Sequence, residues 1–182
     1  MSPKLKLSLL IFVLASPIFA SYIAYYFWRP TGSMNYGELL PTKPVALSSL
    51  QSLGGEGAEA VTGKWLLLTV DSGRCNAACA QKLYVMRQVR IAQGKHVERV
   101  ARAIVVDDSV ALTDQIMHDY KGTVALKGSD PVLNQLPAAD SVRNHIFLID
   151  PLGNLVLRYP ADPDPKRMIK DLTRLLNVSK IG

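Results

Sequence analysis

Residues 65–93 have the sequence WLLLTVDSGRCNAACAQKLYVMRQVRIAQ. The first six residues form a short, mostly apolar run between turn-forming residues, which is typical of a strand buried on both faces. After a short loop, apolar side chains recur at helical spacing from about Asn76 to Gln93, and Gly94 is well placed to end that helix. The stretch predicts a buried strand that turns into a helix, with Cys75 and Cys79 at the corner.

The residues that follow predict an alternation of further strands and helices. Asp164 is expected to cap a final helix that has Pro165 at its first position. Two short apolar runs flank the turn sequence DPLGN and predict a β-hairpin. The predicted elements are a strand at 101–106, a helix at 110–120, a short strand at 123–126, a helical turn at 131–136, hairpin strands at 145–149 and 155–159, and the final helix.

This order of elements predicts the fold class. A strand, a helix and a second strand imply a right-handed parallel crossover, to which the hairpin adds antiparallel strands. Helices then cover the two faces of the sheet. We expect residues 64–182 to form an α/β domain, a thioredoxin-like three-layer sandwich, because this is the order of elements in that fold.

The N-terminal segment predicts one transmembrane helix. Residues 7–28 carry no charge, and about 20 apolar residues are enough to cross the hydrocarbon core of a bilayer. Lys4 and Lys6 precede this run and favour a cytoplasmic N-terminus. Amphipathic rings at the other end suit the headgroup level; they belong to Tyr22, Tyr25, Tyr26, Phe27 and Trp28.

We therefore expect a membrane anchor over 1–28 and a proline- and glycine-rich linker over 29–63, with one short extended piece at 45–47. The domain then lies on the periplasmic side of the cytoplasmic membrane, where thiols can oxidise. Pro17 is tolerated in the span if the carbonyl that it frees finds another donor. Two alternatives are a signal peptide cleaved after Ala20, and a helix of the domain core.

Composition and charge exclude several classes of protein. The chain is 48% hydrophobic and 20% charged, which is enough to bury a core. Its net charge of +6 comes without a basic block, so nucleic acid is not an expected partner. Two cysteines are too few for a disulfide-dense mini-protein or a four-thiolate zinc site. No hydrolase triad, HxxxH motif or phosphate-binding glycine loop is present.

The sequence Cys75-Asn76-Ala77-Ala78-Cys79 is the candidate site. Free amide groups at a helix N-terminus stabilise negative charge, so the pKa of a thiol there should fall, and Arg74 adds a positive charge nearby. Two converging soft thiolates suit Cu(I) or Zn(II) and can also close a disulfide. An inert structural disulfide and two buried free thiols are the alternatives.

The chain resembles the Sco family, which are copper-handling, thioredoxin-like proteins. The resemblance rests on the anchor, the C-x-x-x-C pair that opens a helix, a strand ending in VVDD at 105–108, and the hairpin sequence FLIDPLGN at 147–154. It implies that Cys75 and Cys79 are copper ligands. It also implies a role in assembling the copper site of cytochrome c oxidase, with a respiratory oxidase subunit as a partner.

This chain has no histidine at the position that matches the third copper ligand of the family. Family members have a proline after the first cysteine, where this chain has Asn76. Their ligand histidine lies nine residues before the hairpin proline, and that position is Val142 here.

His145 is a candidate third ligand on a different count. In thioredoxins a proline that packs against the cysteine pair lies eight residues before the turn glycine, and eight residues before Gly153 is His145. His96 and His118 have no such argument. Asp107 and Asp108 are expected to end a strand and cap the next helix.

Three functional hypotheses follow. The first is an anchored assembly factor that holds Cu(I), or handles thiols at a copper site, for a respiratory oxidase. The second is a thiol–disulfide oxidoreductase that cycles Cys75 and Cys79. The third is a scaffold with an inert disulfide. An ordinary oxidoreductase would have proline at 145, and an ordinary Sco protein would have histidine at 142.

Overall fold

The computed structural model describes residues 2–27 and 35–182. The chain divides into two compact units, one ending at Met34 and one that spans Asn35–Gly182. Trp28 and residues 29–34 of the expected linker lie outside the described residues.

Helix α1, Pro3–Phe27, is long and apolar enough to cross a membrane, with a mean hydropathy of 2.1 over its best window and no buried side chain. Pro17 cannot donate to the carbonyl of Val13, four residues earlier. The hydroxyl of Ser16 donates to that carbonyl instead, at 2.9 Å. The expected remedy for a proline inside the span is therefore present, and α1 supports membrane anchoring.

The second unit is built on a mixed sheet of seven strands within the described residues. The strands are β1 (Glu38–Pro44), β2 (Gln51–Ser52), β3 (Trp65–Asp71), β4 (Val100–Val106), β5 (Val124–Lys127), β6 (Ile146–Ile149) and β7 (Asn154–Tyr159). Their order in the sheet is β1-β7-β6-β3-β4-β5-β2. Strands β3, β4 and β5 are parallel, and each remaining pair of neighbours is antiparallel. The helices are α2 (Ala77–Ile91), α3 (Asp114–Asp119), α4 (Asp130–Leu133) and α5 (Pro165–Val178).

Strand β3 is central, and every one of its residues is buried. Alternate side chains of a strand point to opposite faces. Leu67 packs with α2 and α5 on one face, and Leu66 and Leu68 pack with α4 and the segment before β3 on the other. The two apolar layers explain the continuous apolar run of the sequence, and the three-layer thioredoxin-like fold is confirmed. Asp164 caps α5 as expected, accepting from the amide of Lys166.

The segment expected to be a linker is largely packed onto the domain where it is described. Strand β1 pairs with β7, and Leu40, Val45 and Val61 are buried. The carboxylate of Asp171 in α5 accepts from the amides of Tyr36 and Gly37 at 2.8 and 2.9 Å. These contacts place the start of the compact unit at Asn35, upstream of the expected boundary at residue 64.

The helix expected over 110–120 is shorter in the structure. It begins at Asp114, and the side chain of Thr113, rather than Asp107 or Asp108, caps it. The physical reason is a close backbone approach, because a Cβ on Gly73 would clash with the carbonyl of Val110. The chain before α3 is therefore held against the loop that carries the cysteines.

Candidate functional site

Cys75 and Cys79 lie at the corner between β3 and α2, as predicted, and their sulfurs form a disulfide with Cα atoms 5.1 Å apart. The two thiols therefore converge on one point. Of the alternatives that the sequence leaves open, two separate buried thiols are excluded. A disulfide at this position can be structural or reversible. The residues around it influence which of the two it is.

The backbone at Cys75 is strained. Its φ is +38°, and it is the one non-glycine residue with positive φ among residues 2–27 and 35–182. Residues other than glycine adopt this region at a cost of about 1–3 kcal/mol. The amide of Cys75 donates to the carbonyl of Ser72 at 3.0 Å, which fixes the turn. Strain of this kind is often found at functional sites, where the rest of the fold maintains it.

Asn76 begins the helix that follows. Its side-chain oxygen accepts from the amide of Cys79 at 3.1 Å and so caps α2. Asparagine is among the preferred N-cap residues. Cys75 precedes the cap and lies next to the positive end of the helix dipole, which favours a thiolate there.

The two cysteines differ in exposure. Cys75 is 8% exposed, and Cys79 is fully buried. The pair packs against Leu83, Ile104 and Ala125, and against apolar side chains of α3 and the segment before it. The residues on both sides of Cys75, Arg74 and Asn76, are exposed. A partner thiol therefore reaches Cys75 first.

Asp108 holds the loop before the cysteines. Its carboxylate accepts from the amides of Gly73 and Val110 at 3.1 and 3.0 Å. A hydrogen bond from the Ser72 side chain, together with these amide bonds, lowers the pKa of Asp108 to about 2. The carboxylate is thus ionised at neutral pH and joins the cysteine loop to the end of β4.

A buried ion pair lies beneath the corner. The ammonium of Lys82 in α2 is 2.8 Å from the carboxylate of Asp71 at the end of β3, and both side chains are less than 10% exposed. Lys82 also donates to the backbone carbonyls of Val70 and Arg143. Burial lowers the pKa of Lys82, and its bond to Asp71 opposes that change.

Arg143 extends this network across the site. Its guanidinium donates to the two carboxylate oxygens of Asp107 at 2.7 and 2.8 Å, and these contacts raise its pKa. Its carbonyl receives Lys82. The segment before β6 is therefore attached both to the end of β4 and to α2.

His145 lies in this segment, but its ring is engaged elsewhere. Nδ1 is 2.8 Å from the carbonyl oxygen of Tyr159, and Nε2 is 2.7 Å from the carboxylate of Asp140. Both neighbours are acceptors, and a ring nitrogen that donates a hydrogen has no lone pair left for a metal. A hydrogen bond from Asn144, which has the larger effect, and one from His145 lower the pKa of Asp140.

The resemblance to the Sco family implies a copper ion held by three side chains. Among the described residues, no group of three His, Cys, Asp or Glu side chains is arranged to hold a metal ion. The structure brings Cys75 and Cys79 together but does not bring His145 into one site with them. After reduction, the two thiolates alone fit a soft ion such as Cu(I).

Sequence reasoning missed three residues of this site: Asp71, Lys82 and Arg143. One signal was available for Lys82. It lies between Cys79 and Leu83 on the apolar face of α2, and a lysine at such a position requires a buried partner. Arg143 carries no comparable signal, since its partners come from β4 and α2.

The fold and the site together define a thioredoxin-like domain with a C-x-x-x-C disulfide at the first strand-to-helix corner. The chain belongs to the family described as "Transmembrane-like, thioredoxin-like, C-terminal domain", whose model matches residues 65–179. No curated protein matches the chain in sequence.

Solved structures of Sco proteins have the same fold. Apo Sco1 from Thermus thermophilus has a TM-score of 0.57 at 22% identity, and the match covers 79% of this chain and 99% of that one. Yeast Sco1 with copper bound has a TM-score of 0.57 at 16% identity, covering 81% and 96%. Arabidopsis thaliana ScoI with copper bound has a TM-score of 0.51 at 15% identity, covering 79% and 99%. The resemblance to the Sco family is therefore confirmed in the fold.

The ion pair of Asp71 and Lys82 gives a prediction about stability. Asp71→Asn leaves Lys82 buried without its counter-ion, and the free energy of unfolding at pH 7 should fall by about 3–5 kcal/mol. The substitution also lowers the pKa of Lys82 further below 10.5, its ordinary value. At pH values between the lowered pKa of Lys82 in the folded variant and its ordinary value in the unfolded chain, the unfolded chain binds more protons than the folded one. The free energy of unfolding therefore rises with pH, and part of the loss is recovered.

Urea unfolding of the oxidised full-length chain in detergent, at pH 7 and near pH 9.5, measures this effect. The double variant Asp71→Asn/Lys82→Met is the control, because it removes the unpaired charge; it should be more stable than the single variant and lack the recovery at high pH. Equal losses in both variants with the same pH dependence would show that the ion pair is not what stabilises the corner.

Proposed function

We propose that this protein is a membrane-anchored thiol–disulfide protein of the cell envelope, in which Cys75 and Cys79 cycle between disulfide and dithiol. The observation that carries the proposal is the position of the disulfide: it closes at a strained corner beside a helix N-terminus, where Cys75 is 8% exposed and Cys79 is fully buried. Low thiol pKa and access are the features that make a cysteine reactive.

The exchange reaction needs a partner with two thiols or a disulfide. A partner thiolate attacks the sulfur of Cys75, the bond to Cys79 breaks, and Cys79 leaves as a thiolate that takes up a proton. A second partner thiolate then attacks the mixed disulfide and releases Cys75. Two electrons pass from the partner to the cysteine pair, and the reverse sequence reduces a partner disulfide.

The buried groups of the corner suit this cycle. Arg74 is the residue before Cys75 and adds a positive charge next to it in the chain. The carboxylates of Asp71 and Asp107 are held by Lys82 and Arg143, which offsets their repulsion of a thiolate. The corner therefore tolerates the negative charge that appears on reduction.

The second candidate function is Cu(I) binding by the reduced pair, with copper as cargo. It is supported by two adjacent thiolates, the ligand type that a soft cation prefers, and by the fold shared with Sco proteins whose structures contain copper. The proposed partner is a copper-binding subunit of a respiratory oxidase, either receiving Cu(I) or exchanging thiols. The Sco resemblance supports that partner.

A Cu(I) titration tests the copper function. The reduced, full-length chain should bind one equivalent of Cu(I) in competition with a chromophoric chelator, and Cys75→Ser or Cys79→Ser should each weaken binding by more than about tenfold. Because the ring of His145 is held by Asp140 and Tyr159, we expect two-thiolate binding, unchanged in His145→Ala and in the matched control His118→Ala.

The outcomes separate the hypotheses. If Cu(I) binding is weaker in His145→Ala but not in His118→Ala, His145 is a copper ligand. Absence of stoichiometric binding would remove the copper function and leave thiol exchange. A pair that resists reduction in the folded protein would support the third hypothesis, an inert disulfide.

We also propose that the domain lies on the periplasmic side, with the N-terminus in the cytoplasm. Lys4 and Lys6 before the apolar run favour this orientation. Alkaline phosphatase is active only after export, so a fusion at Gly182 should be active and should remain in the membrane fraction. An inactive fusion would indicate the opposite orientation, and a mature chain that begins at Ser21 would indicate a cleaved signal peptide.

A further inference from the structure

A cavity lies at the end of the sheet where β4 begins, whereas the cysteine loop contacts the residues after the end of β4. The cavity has a volume of about 200 Å³. Since one water molecule occupies about 30 Å³ of liquid, a small polyatomic ion fits. Basic side chains line much of it: Lys64, Arg90, Arg102 and Lys121.

Arg102 is the central feature of this cavity. Its side chain projects from β4, and the residue is only 4% exposed. Nη2 donates to the carbonyl of Lys121 at 2.8 Å. Nε and Nη1 are buried and have no hydrogen-bond acceptor in the part of the chain that the structure describes. Buried donors without partners are rare and cost about 1–3 kcal/mol each, or more when charged.

The charges around Arg102 are mostly of one sign. Burial, followed by repulsion from Arg90 and Arg87, lowers the pKa of Arg102 to about 10. Arg90 donates to the carbonyl of Val100 and makes a 3.5 Å contact with the exposed Glu98. Glu56 is the acidic residue of the lining, and it forms no ion pair among the described residues. With four basic side chains and one acidic side chain in its lining, the cavity therefore has an excess of positive charge.

Gly122 lines the same cavity and leaves space for the guanidinium. Its φ is +83°, and a Cβ there would lie 3.3 Å from Nη2 of Arg102. The conformation favours glycine, and a side chain would crowd the charged group. A residue with a side chain at this position would therefore displace the guanidinium of Arg102.

We propose that this cavity binds a small oxyanion of the phosphate class, with Arg102 as its central donor and Lys64, Lys121 and Arg90 as flanking charges. A doubly charged oxyanion fits the several cations better than a monocarboxylate does, and guanidinium groups bind phosphate oxygens through charge-assisted hydrogen bonds. The phosphate group can come from the free ion or from a lipid headgroup. The site is separate from the cysteine corner and does not depend on the thiol function.

The test uses the full-length chain in two settings. In neutral detergent micelles, inorganic phosphate is titrated by calorimetry; in nanodiscs of phosphatidylcholine, phosphatidic acid is the added component and protection of the cavity lysines from acylation is the readout. Saturable binding in micelles assigns the free ion, and protection only with phosphatidic acid assigns the headgroup. Either result supports the site, and absence of both at millimolar phosphate overturns it.

Variants locate the binding. Arg102→Met should lose affinity by at least about tenfold, and Lys64→Met and Lys121→Met should each lose severalfold. The matched control is Lys170→Met, an exposed lysine on α5 outside the cavity, which should bind as the parent does. If Arg102→Met fails to fold, the variants of the two rim lysines, Lys64 and Lys121, still test the site. Equal affinity in the rim variants and the control would overturn the assignment.

Discussion

The buried ion pair between Asp71 and Lys82 holds the functional end of the domain together. Lys82 reaches the end of β3, the carbonyl of Val70 and the carbonyl of Arg143, so one ammonium joins α2, the central strand and the segment before β6. A buried lysine is tolerated only where such partners are complete. These partners fix the positions of β3 and α2 relative to each other. The strained turn at Cys75 and the capped start of α2 depend on those positions, and the disulfide depends on both.

Much of this corner could be predicted from the sequence, because β3 and α2 are local patterns. A run such as WLLLTV needs no partner information to be recognised as a buried strand. Strand β1 could not be recognised, since ELLPTKP contains two prolines and lacks clear alternation, yet an edge strand tolerates proline. The pairings of Lys82 and Arg143 join residues far apart in the chain, and neither spacing nor composition identifies them.

His145 shows where a count along the sequence stops being informative. The count from the turn glycine placed it correctly at the entrance of β6. It could not determine which way the ring points, and the ring is bound by Asp140 and the carbonyl of Tyr159. The site that results has two sulfur donors, a strained loop and a set of ion pairs around them. The structure shows this pair as a disulfide, and two thiolates become available to a soft metal ion only after reduction.

We expect the disulfide between Cys75 and Cys79 to be reversible under cellular conditions. Its midpoint reduction potential tests this most directly, measured on the full-length chain equilibrated with thiol redox buffers at pH 7 and scored by alkylation mass. Structural disulfides of secreted proteins have potentials below about −300 mV, whereas labile and catalytic ones lie higher. A reversible pair should have a midpoint above about −300 mV, and a midpoint well below that value would show that the disulfide is structural.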